Sequence, residues 1–160
     1  MSEPNTGDAI DIVEGKAVLM RNLRYTENHL WFRQLQEGLF QVGLTQPKVI
    51  GRGKILFVEF LVKPGERVQN GTELFEVETQ KSIIAIESPV NGIVERVNEE
   101  IVNHLDAVRR KTYQSGWLLV FREETPGLVL NSTLDVSDYY RVMEEELGGR
   151  LGMIKEMLET

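Results

Sequence analysis

The sequence predicts a mostly β fold, a compact sandwich or barrel of short strands, with a helical C-terminal extension. Three observations carry that expectation. Between Tyr25 and Arg122 the apolar runs are short and rich in β-branched and aromatic residues, which suit a pleated, half-buried surface. Turn signals separate them at close intervals, at Pro64-Gly65, Asn70-Gly71, Ser88-Pro89 and Asn91-Gly92. After Pro126-Gly127 the spacing changes, and Val136, Tyr139, Tyr140, Met143, Leu147, Leu151, Ile154 and Leu158 recur every three or four residues.

In chain order, residues 1–20 are read as an N-terminal tail. Met1 to about Gly15 is polar, turn-rich and loosely held, and Ala17–Met20 is an apolar run of no decided type. Residues 21–124 form the β domain. Aromatics and partial alternation over His29–Leu35 indicate a strand, Gln36-Glu37-Gly38 a turn, and Leu39–Leu44 a second strand, so the pair reads as a hairpin. Thr45-Gln46-Pro47 starts a short helical turn that Gly51-Arg52-Gly53 stops. Ile55–Val62 is the most hydrophobic stretch and is expected to be buried on both faces at its centre. Glu73–Val77 and Ile83–Glu87 read as strands, Asn103–Arg110 as a turn of helix, and Gly116–Arg122 as a closing strand with Trp117 and Phe121 in the core. The apolar spacing of Val62, Val68, Gly71 and Leu74 echoes that of Val94, Val97, Ile101 and Leu105, as two related halves would. Residues 125–160 are the extension. Two helices are expected, about 133–147 and 150–158, capped by Asn131 or Ser132 and interrupted at Gly148-Gly149.

Composition narrows the function. One domain with a real core fits 160 residues. A net charge of −7 without a long basic run argues against nucleic acid and anionic membranes as partners. The absence of cysteine excludes disulfides, thiolate metal sites and cysteine nucleophiles. His29 and His104 are too far apart in sequence to show metal spacing, and His29, His104, Asp106 and Glu59 show no nucleophile–base pattern. Met1–Asp8 is acidic and polar, unlike a signal peptide, and no apolar run reaches membrane-span length. The expectation is a soluble cytoplasmic protein that is not an enzyme.

The stretch Glu78-Thr79-Gln80-Lys81-Ser82 lies between two predicted strands and is bracketed by turn-rich segments. That puts Lys81 at the tip of a hairpin held by core on both sides. An exposed amine on a rigid mount suits either an ordinary surface lysine or a covalent attachment point.

Taken together, these motifs resemble the H protein of the glycine cleavage system, a lipoyl carrier with a barrel-sandwich hybrid fold of the lipoyl/biotinyl-carrier type. Tyr25-Thr26-x-x-His29-x-Trp31 resembles the family's opening motif. Val42-Gly43-Leu44-Thr45 is similar to its Val-Gly-Ile-Thr, and Phe57-Val58-Glu59-Phe60 to its Phe-Val-Glu-Leu. Glu78-x-x-Lys81 followed by Ser88-Pro89-Val90-x-Gly92 resembles its lipoylation hairpin, and Asn98-Glu99 and Gly116-Trp117-Leu118 fit later motifs. Gln80 stands where the family usually has valine, and Ile83 and its neighbours are more apolar than usual.

The resemblance implies lipoate in amide linkage on Lys81, with Glu78 and Gly92 read by a lipoate ligase or lipoyl transferase, and His29 near the cleft that shelters the loaded arm. It implies an aminomethyl group passed from glycine decarboxylase to aminomethyltransferase, and reoxidation by dihydrolipoyl dehydrogenase. The alternatives are a related lipoyl carrier in another pathway, such as heterodisulfide-reductase-like sulfur oxidation, and an unmodified interaction module. A biotin carrier ranks low because Gln80 and Ser82, not methionines, flank the lysine.

Overall fold

The structure is a computed structural model and describes residues 8–12 and 17–146. Strands β1 (Ala9–Asp11) and β2 (Val18–Met20) pair as an antiparallel hairpin. Strands β3 (Arg24–Tyr25), β4 (Leu30–Gln36), β5 (Leu39–Leu44), β7 (Arg67–Val68), β10 (Gly92–Val97) and β11 (Leu119–Glu123) form a six-stranded antiparallel sheet in the order β3-β4-β5-β11-β10-β7. Strands β6 (Ile55–Phe60), β8 (Glu73–Thr79) and β9 (Ile83–Glu87) form a three-stranded antiparallel sheet. Short helices α1 (Gln46–Val49), α2 (Ala107–Arg110) and α3 (Leu128–Ser132), and a 3-10 helix over Glu99–Asn103, connect them. Residues 136–146 form a further helix, α4.

The expected β4–β5 hairpin is present, with Leu30 opposite Leu44 and Phe32 opposite Val42. The first core lies between the two sheets. Phe32, Val42, Val94 and Phe121 face Val58, Phe75, Val77 and Ile84 across it. A second core covers the opposite side of β3 and β4, where Tyr25 and Trp31 meet Leu19, Met20, Tyr113, Tyr139 and Met143. Strand β4 therefore buries Leu30 and Phe32 on one side and Trp31 on the other. Gly43 lies opposite Trp31, and a Cβ there would sit 2.6 Å from the indole ring, so the indole lies flat across the strand.

Four expectations change. Part of the stretch read as a loose tail is a strand, β1, paired with β2, whose Leu19 and Met20 are buried in the second core. Strand β6 is buried on one face only: Ile55 and Val58 point inward while Leu56 and Phe57 are exposed. Helix α4 is capped by Asp135, whose carboxylate accepts the Asp138 N–H at 2.9 Å, while Asn131 and Ser132 belong to α3. The apolar echo does not repeat an element order, since Leu74 lies in a strand and Ile101 in a 3-10 helix. The second expected helix, 150–158, lies outside the described residues.

Candidate functional site

Lys81 is exposed at the turn joining β8 to β9. Two-residue hairpin tips usually rely on residues with positive φ. Neither Gln80 nor Lys81 has positive φ. The Thr79 side chain holds the turn instead. Its buried hydroxyl donates to the Ser82 carbonyl at 2.9 Å and accepts the N–H groups of Ser82 at 3.0 Å and Lys81 at 3.2 Å. The Thr79 N–H also donates to the Ser82 carbonyl at 2.8 Å.

The loop after α1 braces this tip from the side. The Gln80 N–H donates to the Lys54 carbonyl at 3.1 Å, and the Lys54 N–H donates to Gln80 Oε1 at 2.9 Å. Gly53 has φ +80°, and a Cβ there would collide with Gln80 Oε1. Arg52 donates through Nη1 to Ser82 Oγ and through Nε to the Lys48 carbonyl at 2.8 Å. The lysine stem thus rises from a turn whose neighbours on both sides are fixed, while its own amine makes no salt bridge among the described residues.

Glu78 is exposed on the outward face of the sheet, level with Phe57 on β6 and Ile83 on β9. Gly92 is elsewhere and buried. It pairs with Val68 and Glu123, and a Cβ would collide with the Phe121 ring and the Arg122 carbonyl. Close packing of β10 on β11 is therefore the immediate demand on Gly92.

His29 is only 3% exposed and lies beneath α4. It is a non-glycine residue with φ +73°, a backbone strain that the surrounding contacts must hold. Nδ1 lies 2.7 Å from Tyr139 Oη and Nε2 lies 2.7 Å from a Glu146 carboxylate oxygen. Tyr139 Oη is also 2.7 Å from Thr45 Oγ1. A carboxylate only accepts, so a neutral ring donates from Nε2 to Glu146 and accepts at Nδ1 from Tyr139, which in turn accepts from Thr45. Burial lowers the His29 pKa, the Glu146 hydrogen bond opposes that, and the positive charges of Lys48 and Arg52 lower it further. Arg52, whose charge is one of those that lower the His29 pKa, also holds Ser82.

A cleft of about 870 Å³ lies apart from these residues, lined among others by Asn98, His104, Lys111 and Trp117. None of Lys81, Glu78, Gly92 or His29 lines it. Trp117 is half-buried, and its ring lies 5.6 Å from the Arg96 guanidinium. The Thr79 hydroxyl and the Gln80–Lys54 brace were not singled out from sequence. Only the departure at Gln80 pointed toward them.

Fold and turn together define a carrier scaffold, a β body that presents a lysine at a fixed hairpin tip. The glycine cleavage H-protein family model matches residues 23–146. A glycine cleavage system H protein from Listeria monocytogenes is 31% identical over 126 residues, covering 79% of this chain and 98% of its own length. One from Streptomyces coelicolor is 33% identical over 102 residues, covering 64% and 81%. The crystal structure of a glycine cleavage system H protein from Mycobacterium marinum superposes with a TM-score of 0.66 at 26% identity, covering 77% of this chain and 97% of that one. The chain belongs to the glycine cleavage H-protein family, with the barrel-sandwich hybrid fold, and is a carrier, not an enzyme.

Proposed function

We propose that this protein is the lipoyl carrier of a glycine cleavage system, with lipoate in amide linkage to Lys81 Nζ. The observation that carries the reading is the Lys81 turn: an exposed primary amine on a tip fixed by Thr79, Gln80 and Arg52, in a chain of the H-protein family. The residues present fit the group, since an amide needs an accessible amine and a swinging arm needs a rigid mount. When bound, lipoate supplies a disulfide that takes up and releases the aminomethyl group and is then reoxidised.

The chain's own part is to orient and to be recognised. Lysine's unbranched stem gives reach. Glu78, exposed beside the turn, is a contact for the lipoate ligase or lipoyl transferase, and Gly92 acts by keeping β10 close to β11. In this reading the joint at His29 bounds the place where the arm shelters. Glycine decarboxylase, aminomethyltransferase and dihydrolipoyl dehydrogenase are the partners in this reading, and 21–124 is the carrier domain. Among the described residues no helix is long and apolar enough to cross a membrane, and a cytoplasmic location is part of the proposal.

Intact mass after incubation with lipoate ligase, ATP and lipoate tests the assignment. The wild type gains one lipoyl group and Lys81→Arg gains none, while the unfolding free energy of that variant stays within about 0.5 kcal/mol. A lipoyl group on Lys81→Arg would overturn the site. Loaded wild type that takes no aminomethyl group from glycine decarboxylase would assign the carrier to another lipoate pathway.

A further inference from the structure

The outward face of the β6–β8–β9 sheet carries the most unusual surface near the turn. Phe57, Glu78 and Ile83 stand directly opposite one another across the three strands. Phe57 is 51% exposed, Ile83 60%, and Leu56, beside them, 48%. Single exposed apolar residues need no explanation, but three large ones grouped at one end of a sheet do. A register irregularity between Ile55 and Phe57 produces the grouping, because it leaves both Leu56 and Phe57 outside the core. Irregularities of this kind re-aim side chains.

The next outward row is Glu59, Glu76 and Ala85, so two carboxylates face each other directly across paired strands. Like charges so placed destabilise a sheet. None of Glu59, Glu76 and Glu78 makes a salt bridge among the described residues.

We infer that this face is a docking surface for a protein partner that presents basic side chains around an apolar contact. Charge selects the occupant. A second copy would set the same carboxylates against themselves, and nucleic acid or an anionic lipid surface would be repelled. A basic protein face relieves the Glu59–Glu76 repulsion, while Phe57 and Ile83 supply the desolvated anchor that charged rims lack. The inference rests on the carrier reading, because the partner is one that acts on the Lys81 side chain.

Lipoate ligase is the probe, used with the full chain in two measurements. In the first, the KM of the ligase for the protein is measured with F57T/I83T and, separately, with Glu59→Gln/Glu76→Gln. Leu130→Thr, exposed on α3 beside Arg24 of the six-stranded sheet, is the control. The apolar pair raises KM about tenfold with kcat unchanged, the size expected for losing an interface anchor. The charge pair flattens the rise of KM with salt, and the control changes neither. In the second, amide shifts of isotope-labelled protein are followed as ligase is added, and residues 56–59, 76–78 and 83–85 move first. Thermal melts of each variant exclude misfolding as the cause.

Loading that proceeds with unchanged KM in both variants, or shifts confined to another face, overturns the docking surface and leaves the carrier reading intact. Shifts at this face without any loading overturn the carrier reading, and with it a partner that acts on Lys81, and leave the face as a bare protein contact. Neither shifts nor loading overturns both. Shifts at this face on dilution alone, or on deleting residues 147–160 without ligase, assign it to a second copy or to the chain's own C-terminal segment and overturn the inference.

Discussion

Gln80 shows how one residue can fix a hairpin tip. Its backbone and its side chain each bond Lys54, so the turn cannot pivot sideways without breaking two hydrogen bonds. Gly53 makes room for that side chain and holds φ +80°. Alanine there meets both obstacles, so Gly53→Ala should cost about 1–3 kcal/mol in urea denaturation. Combining it with Gln80→Ala should recover part of the loss, because the clashing atom is gone while the φ strain stays, and the double-mutant cycle should be visibly non-additive. Additive costs would show that the two residues are not coupled. The exposed hairpin-tip position of Lys81 was legible in the sequence because its mount is local, a lysine between two strands and between turn signals. The brace was not, because Gln80 and Lys54 are 26 residues apart and a hydrogen bond across that gap leaves no periodicity. Gly92 was legible as a motif position, but its partner Phe121 becomes visible only once β10 lies on β11.

Among the elements, β4 and β5 were readable because alternation and an intervening turn coincide. Strand β6 misled because hydrophobicity along Ile55–Phe60 measures how apolar a strand is, not which face meets water. Helix α4 was predicted as a stripe, and its mode of attachment is the structural addition. Tyr139 is buried, stacks on Tyr25 with centroids 4.7 Å apart, and bonds His29 and Thr45. Its attachment should depend on pH. Burial holds the His29 pKa below its ordinary value of 6.5, so the unfolded chain binds a proton more readily than the folded one. The stabilisation is complete above about pH 6.5 and is lost as pH falls through the lowered folded value. Urea unfolding at stepped pH from 8 to 5 should therefore show a downward slope in the wild type. His29→Asn, which tolerates positive φ and does not titrate, should flatten it. An equal slope in both proteins would remove His29 as its cause.

At the scale of the whole molecule, the two cores divide the labour. The core between the sheets contains the inward residues of β6, β8 and β9, and so supports the Lys81 turn. The second core joins the N-terminal hairpin, Trp31 and α4, and contributes no residue to that three-stranded sheet. The fold class was legible because short strands and frequent turns leave few other solutions. The second core was not, because it gathers Leu19, Tyr113 and Met143 from segments separated by most of the chain length, and β2 alone was too short to declare its type. A change confined to the second core should therefore weaken one side of the molecule first. Met143→Ala removes a buried side chain from α4 and should cost about 2–5 kcal/mol by cavity formation. Native-state hydrogen exchange should then show β2 and α4 amides losing protection, while those of β8 and β9 keep theirs up to the global limit. Loading of Lys81 by lipoate ligase at a temperature well below the melt should proceed at the wild-type rate. Equal loss of protection across both sheets would mean that the two cores unfold as one unit, and the turn would then depend on the very elements that the sequence placed outside the carrier domain.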